Sequence, residues 1–322
     1  MINDSVLVND WLPVAPATHL DKTGVLGARV LGEDIVIWRK GDQVLAWQDL
    51  CLHRGTKLSL GEIVEGALMC PYHGWTYDTE GKCIQMPAHP EQTPSPRAVV
   101  KTYRAQIHFD YVWVCFGEPQ HEMPHFPEWD DERFRRIPCG PYEFRASAPR
   151  VIENFLDVAH FPFVHENSLG TRERPEIPEY EVTTDGNGVT ANNITVFQPN
   201  PDGTGVGKEV TYTYKVFRPM IAYFTKASAG PQLAIMLMVT PVDEVHSLAW
   251  MQMLMNHSYD VPEAELRGFQ DRVTGEDIPI VESQRPELLP LDLQAELHLR
   301  SDRTAIAYRK WLNELGLSFG TQ

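Results

Sequence analysis

Two short stretches each set one cysteine close to one histidine: Cys51-Leu52-His53-Arg54-Gly55 and Cys70-Pro71-Tyr72-His73-Gly74-Trp75. Together they offer two thiolates and two imidazoles, the inventory of a [2Fe–2S] cluster with both cysteines on one iron and both histidines on the other. Neutral imidazoles place less negative charge on the iron, so such a cluster accepts electrons more readily than an all-thiolate one. Gly55 and Gly74 permit tight turns and Pro71 stiffens the second loop. Backbone N–H groups can thereby be aimed at cluster sulfurs. A structural zinc site could use the same four residues, but it ordinarily pairs cysteine with cysteine at one knuckle and histidine with histidine at the other. Here the types alternate within each loop, which favours iron and sulfur. Cys83, Cys115 and Cys139 have no such context and read as buried thiols.

A second constellation lies in Asn154-Phe155-Leu156-Asp157-Val158-Ala159-His160-Phe161-Pro162-Phe163-Val164-His165. On a helix, Asp157 and His160 would be one turn apart and share a face. His165 would be rotated away, unless Pro162 reorients the chain. Two imidazoles and one distant carboxylate make the facial triad that leaves positions on ferrous iron open to dioxygen. Alone, two histidines at this spacing are more often structural; downstream of a cluster-binding pair the balance reverses. The carboxylate must come from elsewhere. The segment from Thr274 to Gln284 offers Glu276, Asp277 and Glu282, and residue chemistry leaves the three open.

The elements that must position these residues change character along the chain. The first third reads as short strands between turns, with Asp34 to Trp38 and Val44 to Trp47 as a hairpin around Gly41-Asp42, and a further strand at Tyr111 to Phe116. A stretch rich in Pro and charge from Gly117 to Trp129 suits a connector. Beyond it, Val151 to Ala159 has helical character. Strands are expected at Glu181 to Thr183, Val189 to Val196, Val210 to Phe217, Gln232 to Thr240 and Ser247 to Met255. A final helix capped by Ser301 or Asp302 should run through Tyr308 and Trp311 to Leu315 and stop at Gly316. The pattern predicts an α+β chain: an all-β domain over 1–120 and a catalytic domain with an antiparallel sheet over 121–322.

Composition narrows the partners. The 322 residues are 43% hydrophobic and 22% charged, as in globular enzymes. A formal charge of −16 excludes nucleic acid and anionic membrane surfaces as partners and leaves small-molecule chemistry open. No run reaches membrane-spanning length and the start carries no secretory signal pattern, so a cytoplasmic location is expected. Five cysteines in a reducing compartment fit metal ligation better than disulfides.

These motifs resemble the Rieske non-haem iron oxygenases, in their α-subunit-only monooxygenase and demethylase branch. The likeness covers nearly the whole chain: Cys51/His53/Cys70/His73, the run from Asn154 to His165, the Glu276-Asp277 segment, and the closing Ser301-Asp302-Arg303 to Tyr308-Arg309-Lys310-Trp311-Leu312 stretch. It is nearest to the saxitoxin-biosynthesis hydroxylases, with vanillate and dicamba demethylases further off. The resemblance implies a Rieske [2Fe–2S] domain followed by a helix-grip catalytic domain, a mononuclear Fe(II), and electrons from a ferredoxin or flavin reductase. It implies Asp277 as the third iron ligand, with Glu282 and Gln284 behind it matching the family pattern. It further implies a head-to-tail homotrimer in which Asp157 links His73 of one chain to His160 of the next, with Asn154 beside the iron. The spacing of Asn154 and Asp157 is similar to that of the demethylase branch.

The function expected is hydroxylation or O- or N-demethylation of a small organic substrate with dioxygen. A cis-dihydroxylating dioxygenase and a Rieske electron carrier without oxygenase activity are the alternatives. A carrier needs no counterpart of His160, His165 and Asp277. Met236, Met238, Met251, Met253 and Met255 fall on expected strands and read first as core. Gln252 and Asn256, of opposite parity, could offer polar groups to a cavity or equally face solvent.

Overall fold

A computed structural model describes residues 4–201, 205–227 and 232–322. The chain divides into two compact units, Met1–Glu122 and Met123–Gln322.

The first unit runs α1 (Ser5–Val8), β1 (Leu12–Pro16), α2 (Ala17–Thr23), β2 (Val25–Val30), β3 (Glu33–Lys40), β4 (Gln43–Gln48), β5 (Glu62–Val64), β6 (Ala67–Met69), β7 (Thr76–Tyr77), β8 (Cys83–Gln85), β9 (Thr102–His108) and β10 (Tyr111–Cys115). Six strands form one antiparallel sheet, ordered β1-β10-β9-β4-β3-β2, and four shorter ones form β5-β6-β7-β8. The β3–β4 hairpin turns on Gly41-Asp42, with Lys40 opposite Gln43 and Gly41 at φ +58°, where a side chain would be strained. Trp38 and Trp47 meet edge to face at 4.9 Å in the core. That core also takes in Leu58, Leu68, Tyr77, Cys51 and Cys70, so the cysteine loops are anchored in apolar packing.

The second unit runs β11 (Arg135–Phe144), α3 (Ala148–Leu156), α4 (Phe161–Val164), β12 (Glu181–Asp185), β13 (Gly188–Gln198), β14 (Lys208–Arg218), β15 (Ile221–Ala227), β16 (Gln232–Pro241), β17 (Ser247–Met255), α5 (Glu263–Ser283) and α6 (Arg303–Leu315). Its seven strands make one antiparallel sheet, ordered β11-β17-β16-β15-β14-β13-β12. The α5 helix packs on β11, α3 on β15 to β17, and α6 on β12 and β13. Helix α6 starts after Asp302 and ends at Gly316 in the left-handed conformation, φ +77°, as its sequence signals require.

The helix expected over Val151 to Ala159 stops early, at Leu156. Asp157 is extended, at φ −85° and ψ 136°, and its Oδ1 accepts the Ala159 N–H at 2.8 Å. That local bond competes with continued helix and ends it. Pro162 does not break a helix; it opens the one-turn α4, where a missing N–H costs nothing. Strands β11 and β15 go beyond the sequence reading. Among the described residues, no helix is long and apolar enough to cross a membrane.

Candidate metal centres and active-site cavity

The two cysteine loops of the first unit are built alike. Cys51 N–H donates to Thr56 O (2.8 Å) and Gly55 N–H to Cys51 O (2.9 Å); Cys70 N–H donates to Trp75 O (2.8 Å) and Gly74 N–H to Cys70 O (3.1 Å). Gly55 and Gly74 take φ +73° and +70°. A Cβ on Gly74 would also come within 2.9 Å of Pro87. Both loops thus turn tightly and present thiol and imidazole from the same side of each turn. Both thiols are buried. Burial pushes the Cys70 thiol up, and the Cys51 thiol beside it adds to that. The His53 and His73 rings lie 4.5 Å apart. His53 stacks on Trp75 at 4.7 Å with 2° between planes, which leaves its Nδ1 buried and without a hydrogen-bond partner. Two adjacent buried thiols and an imidazole nitrogen with nothing to bond fit a cluster held by two sulfurs and two ring nitrogens.

Sequence reasoning missed Tyr77 here. Its hydroxyl accepts the Leu52 N–H at 3.2 Å and lies 3.3 Å from Cys51 Sγ. Once Cys51 is a deprotonated cluster ligand its sulfur can only accept, so the phenolic proton would then be directed at it. Burial and the Cys51 sulfur both hold Tyr77 in its protonated form. A hydroxyl two residues beyond Trp75, on the strand leaving the second loop, was the signal available.

The second unit brings His160, His165 and Asp277 together: one donor atom from each lies within 4.8 Å of the others. His160 Nε2 is 3.2 Å from His165 Nε2. Asp277 Oδ1 is 3.4 Å from the first and 3.1 Å from the second. Behind each imidazole stands another carboxylate. Asp157 Oδ2 is 3.2 Å from His160 Nδ1, and Glu276 Oε2 is 2.7 Å from His165 Nδ1. Those contacts favour, once a cation is bound, the tautomer with a proton on each Nδ1, in which both Nε2 lone pairs are available beside Asp277. Three electron-pair donors then converge on one point, an arrangement that a cation relieves. The donor set, two nitrogens and one oxygen, fits an iron site with open positions. Without a cation, burial opposes charge on His160, but Asp157 and Asp277 outweigh it and raise the imidazole to about 9. Burial likewise opposes charge on Asp277, and His160 and His165 outweigh it and hold its carboxyl below the usual range.

Of the three acids in the late segment, only Asp277 reaches the cluster of donors. All three lie on α5, whose Pro279 lacks the N–H that would bond the Gly275 carbonyl, so the ladder is interrupted across the turn that carries Glu276 and Asp277. Glu282 instead accepts the Arg145 N–H at 2.8 Å.

A cavity of about 430 Å³ opens beside this triad. Cross-strand pairs supply its wall: Tyr214 opposite Phe224, Phe224 opposite Ile235, and Ile235 opposite Met253. Asn154, Phe155 and Phe161 line it from the α3 and α4 side. Phe155 stacks on Phe224 at 5.3 Å and Tyr212 on Tyr214 at 5.6 Å, making a continuous aromatic surface. Met251, Met253 and Met255 face the cavity, whereas Met236 and Met238 are core. The expectation for Gln252 and Asn256 is corrected: neither lines the cavity. Gln252 is fully buried at the opposite parity of β17, and Asn256 Oδ1 accepts the Gln232 N–H at 2.9 Å. Sequence reasoning missed the polar lining residues, among them Gln198, Lys226, Glu265 and Gln270; Gln270 lies two turns before Asp277 on the same face of α5. Its Nε2 donates to Thr274 Oγ1 at 3.2 Å and lies 3.3 Å from Met251 Sδ.

Comparison with known proteins agrees with both centres. Residues 10–104 match the Rieske [2Fe-2S] domain, and residues 144–317 match the vanillate O-demethylase oxygenase C-terminal domain. The chain belongs to the Rieske non-haem iron oxygenases. It is 32% identical to methylxanthine N1-demethylase NdmA of Pseudomonas putida, over 98% of this chain and 91% of that protein. Identity to methylxanthine N3-demethylase NdmB of the same organism is 30%, over 96% of this chain and 89% of that protein. The solved structure of Pseudomonas putida NdmA with caffeine overlays with a TM-score of 0.84 at 30% identity, covering 96% of this chain and 91% of that one. The protein is therefore an oxygenase of the monooxygenase and demethylase kind, with a Rieske cluster and a mononuclear iron as its cofactors.

Proposed function

We propose that this oxygenase N-demethylates a flat, uncharged heteroaromatic substrate. The observation that carries the reading is the cavity of about 430 Å³, lined mainly by aromatic rings, aliphatic side chains and methionines, with Gln198, Lys226, Glu265 and Gln270 among its polar residues, and opening on His160, His165 and Asp277. The stacked aromatic part of that wall favours a planar ring over a branched one. Gln270 is a polar group on this face; with its Nε2 engaged by Thr274 and Met251, its Oε1 is the atom left to accept from a ring N–H. The names of the relatives, methylxanthine N-demethylases, point to the same class.

In this reading Cys51, His53, Cys70 and His73 hold the cluster in a domain over 1–120. His160, His165 and Asp277 hold the iron in a domain over 121–322, where it supplies dioxygen activation when bound. Each methyl consumes one dioxygen, two electrons and two protons. The carbon–hydrogen bond becomes a carbon–hydroxyl bond, the second oxygen leaves as water, and the carbinolamine collapses to N–H and formaldehyde. Asn154 borders the substrate, and Asp157 relays electrons by linking His160 to His73 of a neighbouring chain in a homotrimer. A separate ferredoxin or flavin reductase supplies the electrons; a 117-residue stretch 38% identical to the oxidoreductase NdmD is consistent with such a system. The location is cytoplasmic.

The test is a single turnover of reduced, iron-loaded protein with N-methyl heterocycles, aryl methyl ethers and guanidinium alkaloids, read by mass spectrometry. Loss of an N-methyl group with an equivalent of formaldehyde is expected. Turnover of the guanidinium compounds alone would support instead the finer likeness to saxitoxin-biosynthesis hydroxylases. Gain of two oxygens and two hydrogens would establish cis-dihydroxylation.

A further inference from the structure

We propose that Glu276 is the positioning residue for His165 in the iron site, an inference that rests on the ligand triad proposed above. His165 is almost completely buried, with its side chain 1% exposed, so water cannot set its tautomer. Its two ring nitrogens are straddled by consecutive residues of α5. Glu276 Oε2 lies 2.7 Å from Nδ1, and Asp277 Oδ1 lies 3.1 Å from Nε2. A neutral imidazole has one N–H to give, so the two carboxylates compete for it. The shorter contact, in the range of charge-assisted hydrogen bonds, wins the proton for Nδ1. The Nε2 lone pair is then left facing Asp277 and His160.

Removing the Glu276 carboxylate reverses that choice. His165 would donate from Nε2 to Asp277, tying up two of the three donor atoms in a hydrogen bond with each other. A metal would have to break that bond before binding. His160 has its own counterpart in Asp157, at the longer distance of 3.2 Å. The Asp157 carboxylate also accepts a backbone N–H, so the firmer of the two supports is the one from Glu276.

The experiment uses the full chain with its cluster intact and its mononuclear metal removed, titrated with Co(II) by equilibrium dialysis and visible absorption. Wild type is compared with Glu276→Ala, Glu276→Gln and Asp277→Ala. Glu276→Ala should bind Co(II) about 10–100-fold more weakly, with altered ligand-field bands and unchanged cluster absorption. Glu276→Gln, whose amide oxygen still accepts but carries no charge, should fall between. Should Glu276→Ala lose its cluster, the isosteric Gln variant carries the comparison. Wild-type affinity and spectrum in the Glu276 variants would overturn the role of Glu276 alone. The same result in Asp277→Ala would overturn the triad itself.

Discussion

Asp157 Oδ2 stands 3.2 Å from His160 Nδ1, although the helix that leads to them ends at Leu156. The contact is made by an extended residue and a turn, with Asp157 Oδ1 fixed by the Ala159 N–H. One carboxylate thus ends the helix and orients an imidazole. Its side chain is 36% exposed.

Asp157→Asn removes the charge while keeping the shape. At saturating iron we expect both metals to remain bound and turnover to fall about 10–100-fold. Iron analysis alongside steady-state kinetics checks this; normal activity in the variant would eliminate the route through Asp157.

Tyr77→Phe removes the phenolic proton aimed at Cys51 Sγ. A hydrogen bond to a cluster sulfur stabilises the reduced, more negative state. A net contribution of about 0.5–1.5 kcal/mol corresponds to a fall of ~20–60 mV in potential. Spectroscopic redox titration of the two proteins reads the shift directly.

Gln270→Leu keeps the size of the cavity wall but removes its donor and acceptor. For an N-methyl heterocycle bearing a ring N–H, kcat/KM should fall about 10–100-fold, the cost of leaving a buried substrate group unpaired. Iron content should not change. Equal kcat/KM in both proteins would show that the substrate does not contact Gln270.

The second unit carries an ion network unrelated to the metal. Arg309 donates to both oxygens of Glu153 and also contacts Glu296, which Arg150 engages at 2.8 Å. Arg309 is buried, so Arg309→Met leaves Glu153 and Glu296 short of a partner and should cost about 3–5 kcal/mol in urea unfolding. Burial works against charge on Glu296, but Arg150 and Arg309 outweigh it and lower its carboxyl from 4.5. The folded form therefore binds this proton less readily than the unfolded form. Its contribution is complete above pH 4.5 and is lost as pH falls through the lowered value. Acid titration of stability should show that loss in wild type and a smaller one in the Arg309 variant.

Local signals carried much of this molecule. The cysteine loops were legible because ligand type, glycine and proline all sit within a few residues. Gly41 and Gly316 marked a hairpin and a helix end for the same reason. Strand β11 was hidden by Pro138 and Pro141, which are tolerated because β11 is an edge strand paired only with β17. β14 and β15 are separated by only Pro219 and Met220, so no polar break announced the second. The choice among Glu276, Asp277 and Glu282 depends on which way one helix faces two histidines more than 100 residues earlier in the chain. Periodicity within the segment contains no such information. The parity of β17 was visible, but not which of its faces, that of Met251, Met253 and Met255, meets the cavity.

The most direct test of the two-centre account is iron stoichiometry with the spectrum of each centre, in wild type and Asp277→Ala. Wild type should hold roughly three irons per chain and the variant roughly two, with the Rieske spectrum identical in both. Retention of roughly three irons by Asp277→Ala, or only two in fully loaded wild type, would contradict the assignment of His160, His165 and Asp277 as the iron site.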